Sequence, residues 1–260
     1  MNRDKIDNFH LEDMKNPIHP SVFFEHESYD LFILRIPQLV EDKIVFISKS
    51  FVITQDKYFR YDIDTNEFID LLDMKGFYKY LDKYIDNTLK TITKRFDEIE
   101  AIEDTFYEGK MIKDFNQQWF SYKNDFVRIN RILFKAVEVI SDLIESYKKD
   151  DDYLERNFED IQEHLQRAYR NSGLLLEKLD AIHNFYLMQN NEQMNKTIYI
   201  LTLLSGIFLP LNLIVGFFGM NTTSLPFTLN SGGTFNVILL LCSVGIVSAI
   251  LTLFIKNRSK

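Results

Sequence analysis

Cysteine is nearly absent: the single Cys242 excludes an internal disulfide framework and reads as a small hydrophobe packed inside an apolar run. Glycine is scarce where it would carry chemistry. The chain has no P-loop, no nucleotide-binding Gly-rich turn and no Ser or Cys nucleophile in a recognisable setting, so no enzymatic activity is expected. The opening tract MNRDKIDNFHLED is charged throughout and has no apolar signal core, so membrane targeting must come from the other end. Basic charge is in deficit, with 30 Lys+Arg against 38 Asp+Glu and a formal net charge of -8, which argues against nucleic acid as a partner. That excess is ordinary solvated surface, because no acidic block exceeds Asp150-Asp151-Asp152, and it is compatible with a protein that concentrates cations. Finally, no Asp or Glu follows Glu192.

What fills that last quarter is apolar. Thr197 to Phe218 and Phe235 to Ile255 are uncharged runs of about 22 and about 21 residues, each long enough at ~1.5 Å per residue to cross a hydrocarbon core of ~30 Å. Two transmembrane helices are expected. Between them NTTSLPFTLNSGGT has no Lys or Arg, whereas Lys196 precedes the first run and Lys256, Arg258 and Lys260 follow the second. Positive charge stays on the cytoplasmic side, so both termini should be cytoplasmic and the loop external.

Upstream, from about Tyr29 to Tyr61, the segments DLFILRI, KIVFISKS, FVITQD and YFRYDI are rich in β-branched and aromatic residues and are separated by Pro37-Gln38 and polar pairs. They read as a small sheet, preceded by a short helix in FHLEDMKN that Pro17 stops. After about Asp70 the period becomes helical, with Leu81, Ile85, Leu89, Ile92, Phe96, Ile99 and Phe106 at three- and four-residue steps. A break near Glu108-Gly109-Lys110 leads to a second helix carrying Phe126, Ile129, Leu133, Val137, Ile140 and Ile144, and the two should form a hairpin. A third helix beginning near Tyr153 has no stop before the membrane, since Gly173 is its only glycine outside the apolar run and Pro210 its only proline. At ~1.5 Å per residue it would be about 100 Å long, too long for one small domain to bury. The positions Leu175, Leu179, Ile182, Tyr186 and Met194 point to a stalk that associates with copies of itself.

The expected fold is therefore an α+β cytoplasmic domain (small sheet plus helical hairpin), one very long stalk helix continuing into the membrane, and two C-terminal transmembrane helices. It divides into a trimmed mixed α/β region over 1–72, a hairpin over 73–152, a stalk over 153–196, a first span over 197–218, an external loop over 219–234, a second span over 235–255 and a basic tail over 256–260.

The first span ends in Gly219-Met220-Asn221. This tripeptide at the outer end of the first of two terminal helices resembles the CorA family of divalent-cation channels. TLLSGIFLPLNLIVGFFGMN is similar to the family's first span, with Thr202, Phe208, Pro210, Gly216 and Gly219 to Asn221 in register. FHLEDMKNPIHPSVFFEHESYDLFILRIP resembles its helix-to-strand passage, and FDEIEAIEDTFYEGK with RINRILFKAVEVISDLI its helical hairpin. Strands that precede the Leu-Glu-Asp helix in the family have no counterpart before Leu11, so a short member with a trimmed sheet is expected.

The resemblance implies a homopentamer in the plasma (inner) membrane of a bacterium or archaeon, five first spans around the pore and five second spans facing lipid. Its partners would be other copies of the chain, the bilayer and divalent cations: Mg²⁺, with Co²⁺ or Ni²⁺ as further permeants. Gly219, Met220 and Asn221 would form the selectivity filter, Asn221 offering carbonyl oxygens to the waters of a hydrated ion. A helix cap is the plainer account of the tripeptide, Asn and Gly being common there. Ile198, Leu201, Ser205, Asn212 and Gly216 fall on one stripe, which carries the only mid-membrane amide; Asn212 should face a cavity or hydrogen-bond a partner helix. Ile198 and Leu201 would form apolar rings that close the pore by dewetting, or serve as core packing. Counting back from Pro210 without a gap places Asn195 at the inner mouth, whereas sliding NNEQM onto the family pattern selects Asn191.

FEDIQEH, residues 158–164, is similar to a family stalk stretch of the form F-R-D-V-Y-D-H, so Asp160 takes the place of a regulatory aspartate whose metal bridges neighbouring subunits. An isolated aspartate on a charged helix is otherwise simply solvated, and its partner carboxylate in the sheet domain is not legible. One departure concerns the ion. Magnesium-transporting members carry an acidic Met-Pro-Glu-Leu loop after the motif, and here TTSLPF keeps only the proline, which weakens focusing of cations. A zinc transporter of the ZntB-like branch, driven by a proton gradient, is therefore a second expectation, although His10, His19, His26, His164 and His183 show no close ligand spacing. A non-conducting membrane scaffold or metal sensor is the third.

Overall fold

The computed structural model describes residues 3–41, 43–55, 57–110, 112–148, 154–220, 225–226 and 233–258. The chain forms two compact units, Met1–Asn184 and Phe185–Lys260.

In the first unit, helix α1 (Asn8–Lys15) starts on Asp7, whose Oδ1 accepts from the Phe9 N–H at 2.7 Å. Five antiparallel strands follow in spatial order: β1 (Val22–His26), β2 (Tyr29–Val40), β3 (Lys43–Ile53), β4 (Tyr58–Asp62) and β5 (Glu67–Asp70). Alternation along β2 sorts its side chains onto two faces. Tyr29, Leu31 and Ile33 join Ile6, Met14, Val52, Phe59 and Tyr61 in one buried cluster beneath α1. On the other face Phe32 and Phe51 meet Phe77 of helix α2 (Met74–Tyr107), at ring separations of 6.0 and 5.2 Å.

Two readings of the strands are corrected. KIVFISKS and FVITQD form the single strand β3, and Pro37 lies inside β2 opposite Phe46 rather than separating segments. Pro37 is tolerated for a geometric reason. The Arg35 N–H, two residues earlier and so on the same edge, leaves the ladder to reach Ser21 Oγ at 2.9 Å, because β1 pairs with β2 only as far as Ile33. The donor that proline lacks would have faced this open edge. The Pro37 carbonyl accepts from Thr88 Oγ1 at 2.8 Å, and Gln38 Nε2 donates to Thr88 Oγ1 and to the Tyr84 carbonyl, fastening β2 to α2. Tyr84 O–H donates to the Ile47 carbonyl at 2.6 Å.

Helix α2 opens with Asp73 Oδ1 accepting from the Gly76 N–H at 2.7 Å. A Cβ at Gly76 would stand 2.0 Å from the Leu71 carbonyl oxygen, so only glycine lets the chain approach the helix here. The helix ends where sequence places the break: Gly109 is left-handed (φ 73°), its N–H donates to the Phe106 carbonyl and that of Lys110 to the Thr105 carbonyl. Helix α3 (Phe115–Tyr147) returns to complete the hairpin.

Helix α4 runs without interruption over Glu155–Phe218. Its first part corrects the stalk reading. Phe158, Ile161, Leu165, Ala168, Leu175, Leu179 and Ile182 are buried by this chain's own residues, not held free for copies. The hairpin supplies matching partners: Trp119 Nε1 donates to the Leu179 carbonyl at 3.1 Å, Asn130 Nδ2 to Ser172 Oγ at 2.9 Å, and Lys123 pairs with Asp180 at 2.5 Å. Met194, by contrast, is exposed.

In the second unit, the rest of α4 carries Pro210, and helix α5 spans Gly233–Arg258. Both contain windows long and apolar enough to cross a membrane. Leu203, Ile207, Pro210, Leu211, Ile214 and Phe218 make one half-buried stripe on α4, and Val237, Leu241, Val244, Gly245, Ser248 and Ala249 one on α5. The Leu211 side chain lies 3.8 Å from where a Cβ on Gly245 would stand, an ordinary contact distance, so the two stripes pack beside each other here with room for a methyl group. Cys242 is exposed rather than packed, being off that stripe.

Candidate functional site

Helical spacing brings one group of cation ligands together in the first unit. Asp82 and Asp86 are four residues apart on α2, and Asp160 and His164 four apart on α4, so each pair shares a helix face. Asp82, Asp160 and His164 each offer a ligand atom, all lying within 4.8 Å of one another. That separation fits ions that bind oxygen and nitrogen at roughly 2.0–2.6 Å. His164 stands between two carboxylates, with Nε2 3.5 Å from Asp160 and Nδ1 3.6 Å from Asp86. Both gaps are too long for hydrogen bonds, and Nδ1 is buried with no hydrogen-bond partner among the described residues.

The electrostatics agree. Burial, and then the carboxylates of Asp86 and Asp160, push the Asp82 carboxyl above its ordinary range, while His164 opposes the rise. Among the described residues no Lys or Arg forms an ion pair with Asp82, Asp86 or Asp160. The donor set of two carboxylates and one imidazole, without a counter-cation, suits a divalent metal.

Within one chain Asp160 is grouped with Asp82 of the hairpin and His164 of its own helix. Asp82, Asp86 and His164 are not singled out by the sequence reading. The signal that finds them is the pair of i,i+4 spacings, Asp82 with Asp86 and Asp160 with His164, on helices whose buried stripes turn these faces toward each other. The five histidines have no close spacing to one another, but His164 is a helix-face neighbour of Asp160 four residues earlier.

At the other end of α4, the Gly219 N–H donates to the Val215 carbonyl at 2.9 Å and the Met220 N–H approaches the Phe217 carbonyl at 3.4 Å, so the helix closes in a tight turn. A Cβ on Gly219 would lie 3.0 Å from the Val215 oxygen, closer than most side chains tolerate. Asn221 lies outside the described residues, as does most of the loop after it. Asn195, Ile198, Leu201, Ser205, Asn212, Gly216 and Met220 are all exposed in the single chain, Ile198 by 52% and Leu201 by 63%. They lie off the half-buried stripe of α4. Thr202 Oγ1 donates back to the Ile198 carbonyl at 2.8 Å, so that hydroxyl is satisfied within the helix.

Comparison with known proteins gives these features a context. The family model for CorA-like Mg2+ transporter protein matches residues 5–256. The Cobalt/magnesium transport protein CorA of Thermotoga maritima is 23% identical over 185 residues, 70% of this chain and 51% of that one. The chain spans about half the length of the curated relatives it matches. Among solved structures, the complete CorA magnesium transporter from Methanocaldococcus jannaschii superposes with a TM-score of 0.79 at 20% identity, covering 99% of this chain and 85% of that one. The full-length CmaX protein gives a TM-score of 0.68 at 16% identity, covering 99% and 82%.

Proposed function

The chain belongs to the CorA-like Mg²⁺ transporter family, and from that premise we propose that it is a homopentameric channel admitting Mg²⁺ down its electrochemical gradient. One observation carries the reading. The Gly219-Met220 turn caps a helix long and apolar enough to cross a membrane, and that same helix bears Asp160 and His164 at its other end.

Five copies of α4 surround the pore, with Asn195, Ile198, Leu201, Ser205, Asn212 and Gly216 turned toward it and α5 toward lipid. The exposure of those α4 residues in the single chain supports this, since a polar Asn212 facing hydrocarbon would be costly. At the outer mouth, Gly219 and Met220 present Asn221, whose amide oxygens accept from waters of the hydrated cation. Mg²⁺ sheds water reluctantly, so selection works on the hydrated ion by size and hydrogen-bond geometry. The Ile198 and Leu201 rings close the conduit by excluding water. Both termini are cytoplasmic.

Asp82, Asp160 and His164 would hold the regulatory cation, which supplies the positive charge that these carboxylates lack. Without it, Asp82, Asp86 and Asp160 repel one another and favour separation of α2 from α4, which opens the channel.

A second reading, Zn²⁺ or Co²⁺ as the transported ion with proton coupling, is favoured by the uncharged TTSLPF that follows Gly219-Met220-Asn221, which focuses cations less than an acidic loop would. Flux into liposomes, compared for Mg²⁺ and Zn²⁺ with and without a pH gradient, separates the two. Mg²⁺ uptake without a gradient is expected, abolished by Asn221→Ala. Undiminished flux in that variant sinks the filter assignment, gradient-dependent Zn²⁺ uptake selects the second reading, and no flux of either ion selects a scaffold or sensor.

A further inference from the structure

A cleft of about 400 Å³ between the residues just before β1, strand β2 and helix α3 is lined by Pro20, Ser21, Arg35, Arg131, Ile132 and Phe134, together with Lys135 and Glu138. Its charge is opposite to that of the chain as a whole. Arg35 and Arg128 both lie over the ring of Phe46, their Cζ atoms 5.9 and 4.2 Å from its centroid, and Arg131 joins them from the next turn of α3. Lys135 is neutralised by Glu138 at 3.2 Å, but among the described residues no carboxylate pairs with Arg35, Arg128 or Arg131. Arg35 Nε is buried and has no acceptor among the described residues. Burial, followed by the charges of Arg128 and Arg131, lowers the Arg35 pKa, the mark of cations packed without a counter-ion.

Two forks of planar N–H donors in the lining call for oxygen acceptors, and their charge, with that of Arg128 nearby, calls for more than one negative unit. The volume exceeds what a bare oxyanion would fill and lies within the range of small-molecule sites. Ile132, Phe134 and Pro20 supply an apolar wall beside the guanidinium groups. We propose that this cleft binds a small polyphosphorylated molecule of nucleotide size, its phosphates held by Arg35 and Arg131, with the charge of Arg128 beside them, and its body resting on Ile132 and Phe134. Guanidinium groups do the holding, so no glycine-rich loop is required. The site is remote in sequence from the filter and independent of which cation is carried.

The test is calorimetric titration of the purified full-length chain with ATP, AMP and pyrophosphate in chelator-containing buffer. ATP is expected to bind once per chain more tightly than AMP or pyrophosphate, and the exposed Arg131→Gln should weaken it by about tenfold or more, with Arg131→Lys intermediate. Absence of ATP and pyrophosphate binding up to about 1 mM overturns the proposal, as does unchanged affinity in Arg131→Gln. If no anion binds and Arg131→Gln alters the oligomeric state in light scattering, the cleft receives carboxylates of a neighbouring copy, which also overturns it.

Discussion

Replacing Asp82 by Asn separates a metal site from an incidental acidic cluster, because the two predict opposite signs. Asp82 is a half-buried carboxyl raised above its ordinary range by burial and by Asp86 and Asp160. In metal-free protein the amide removes repulsion, so the melting temperature should hold or rise. With a divalent cation present, the variant has lost one of three ligand atoms grouped within 4.8 Å. A cation at 100 times its dissociation constant stabilises the native state by about 2.7 kcal/mol, and a site weakened tenfold gains only about 1.4 kcal/mol at the same concentration. For a unit of this size about 1 kcal/mol corresponds to roughly 2–4 °C, so the cation-induced rise should shrink by about 3 to 5 °C. Thermal unfolding of the full-length chain in detergent, first with chelator and then with Mg²⁺ or Co²⁺, reads both quantities. A fall in the metal-free melting temperature would mean that Asp82 is structural, and an unchanged cation increment would mean that it is no ligand; either refutes the reasoning.

Two further perturbations bear on the sheet unit. Gly76→Ala should destabilise by about 1–3 kcal/mol, since its Cβ would meet the Leu71 carbonyl oxygen at 2.0 Å and backbone must move; chemical denaturation with an unchanged midpoint would show that the turn relaxes freely. Tyr84 is protonated well beyond its ordinary range, chiefly through burial, so the folded state holds a proton that the unfolded state releases above about pH 10. Stability is therefore complete below that pH and declines as pH rises above it, and Tyr84→Phe should flatten this alkaline decline in pH-dependent melts while costing about 1 kcal/mol near neutrality for the bond to Ile47.

Periodicity alone gave the helices. Leu81, Ile85, Ile92, Ile99 and Phe106, and then Phe126, Ile129, Leu133 and Ile140, are the buried faces of α2 and α3, and the Gly109 break is a left-handed cap. The strands were less legible. β1 and β5 are short and mostly exposed, so they lack the alternation that reveals a half-buried strand. Pro37 looked like a boundary because nothing in a single strand shows that its neighbour has already ended. The long stalk helix was legible as α4, but the partner of its stripe from Leu175 to Ile182 was not, because a stripe does not name what covers it, and α3 covers these positions within the chain. Asp160 is legible through likeness to a family stretch, whereas His164, four residues on, is legible only when its spacing is taken to the carboxylate on the same helix face, since no other histidine lies near it in sequence.

Pro210 sits within α4 without ending it. Lacking an N–H, it leaves the carbonyl of Gly206 with no donor from its own ladder, in the middle of an apolar run. Hydrocarbon offers nothing to such an acceptor, so this stretch of helix is a poor guest in lipid on its own. That thirsty oxygen calls for water or a donor on a neighbouring helix, and in the pore proposed above the water would be at hand, so the backbone itself, independently of any side chain, suits a helix that lines something wet.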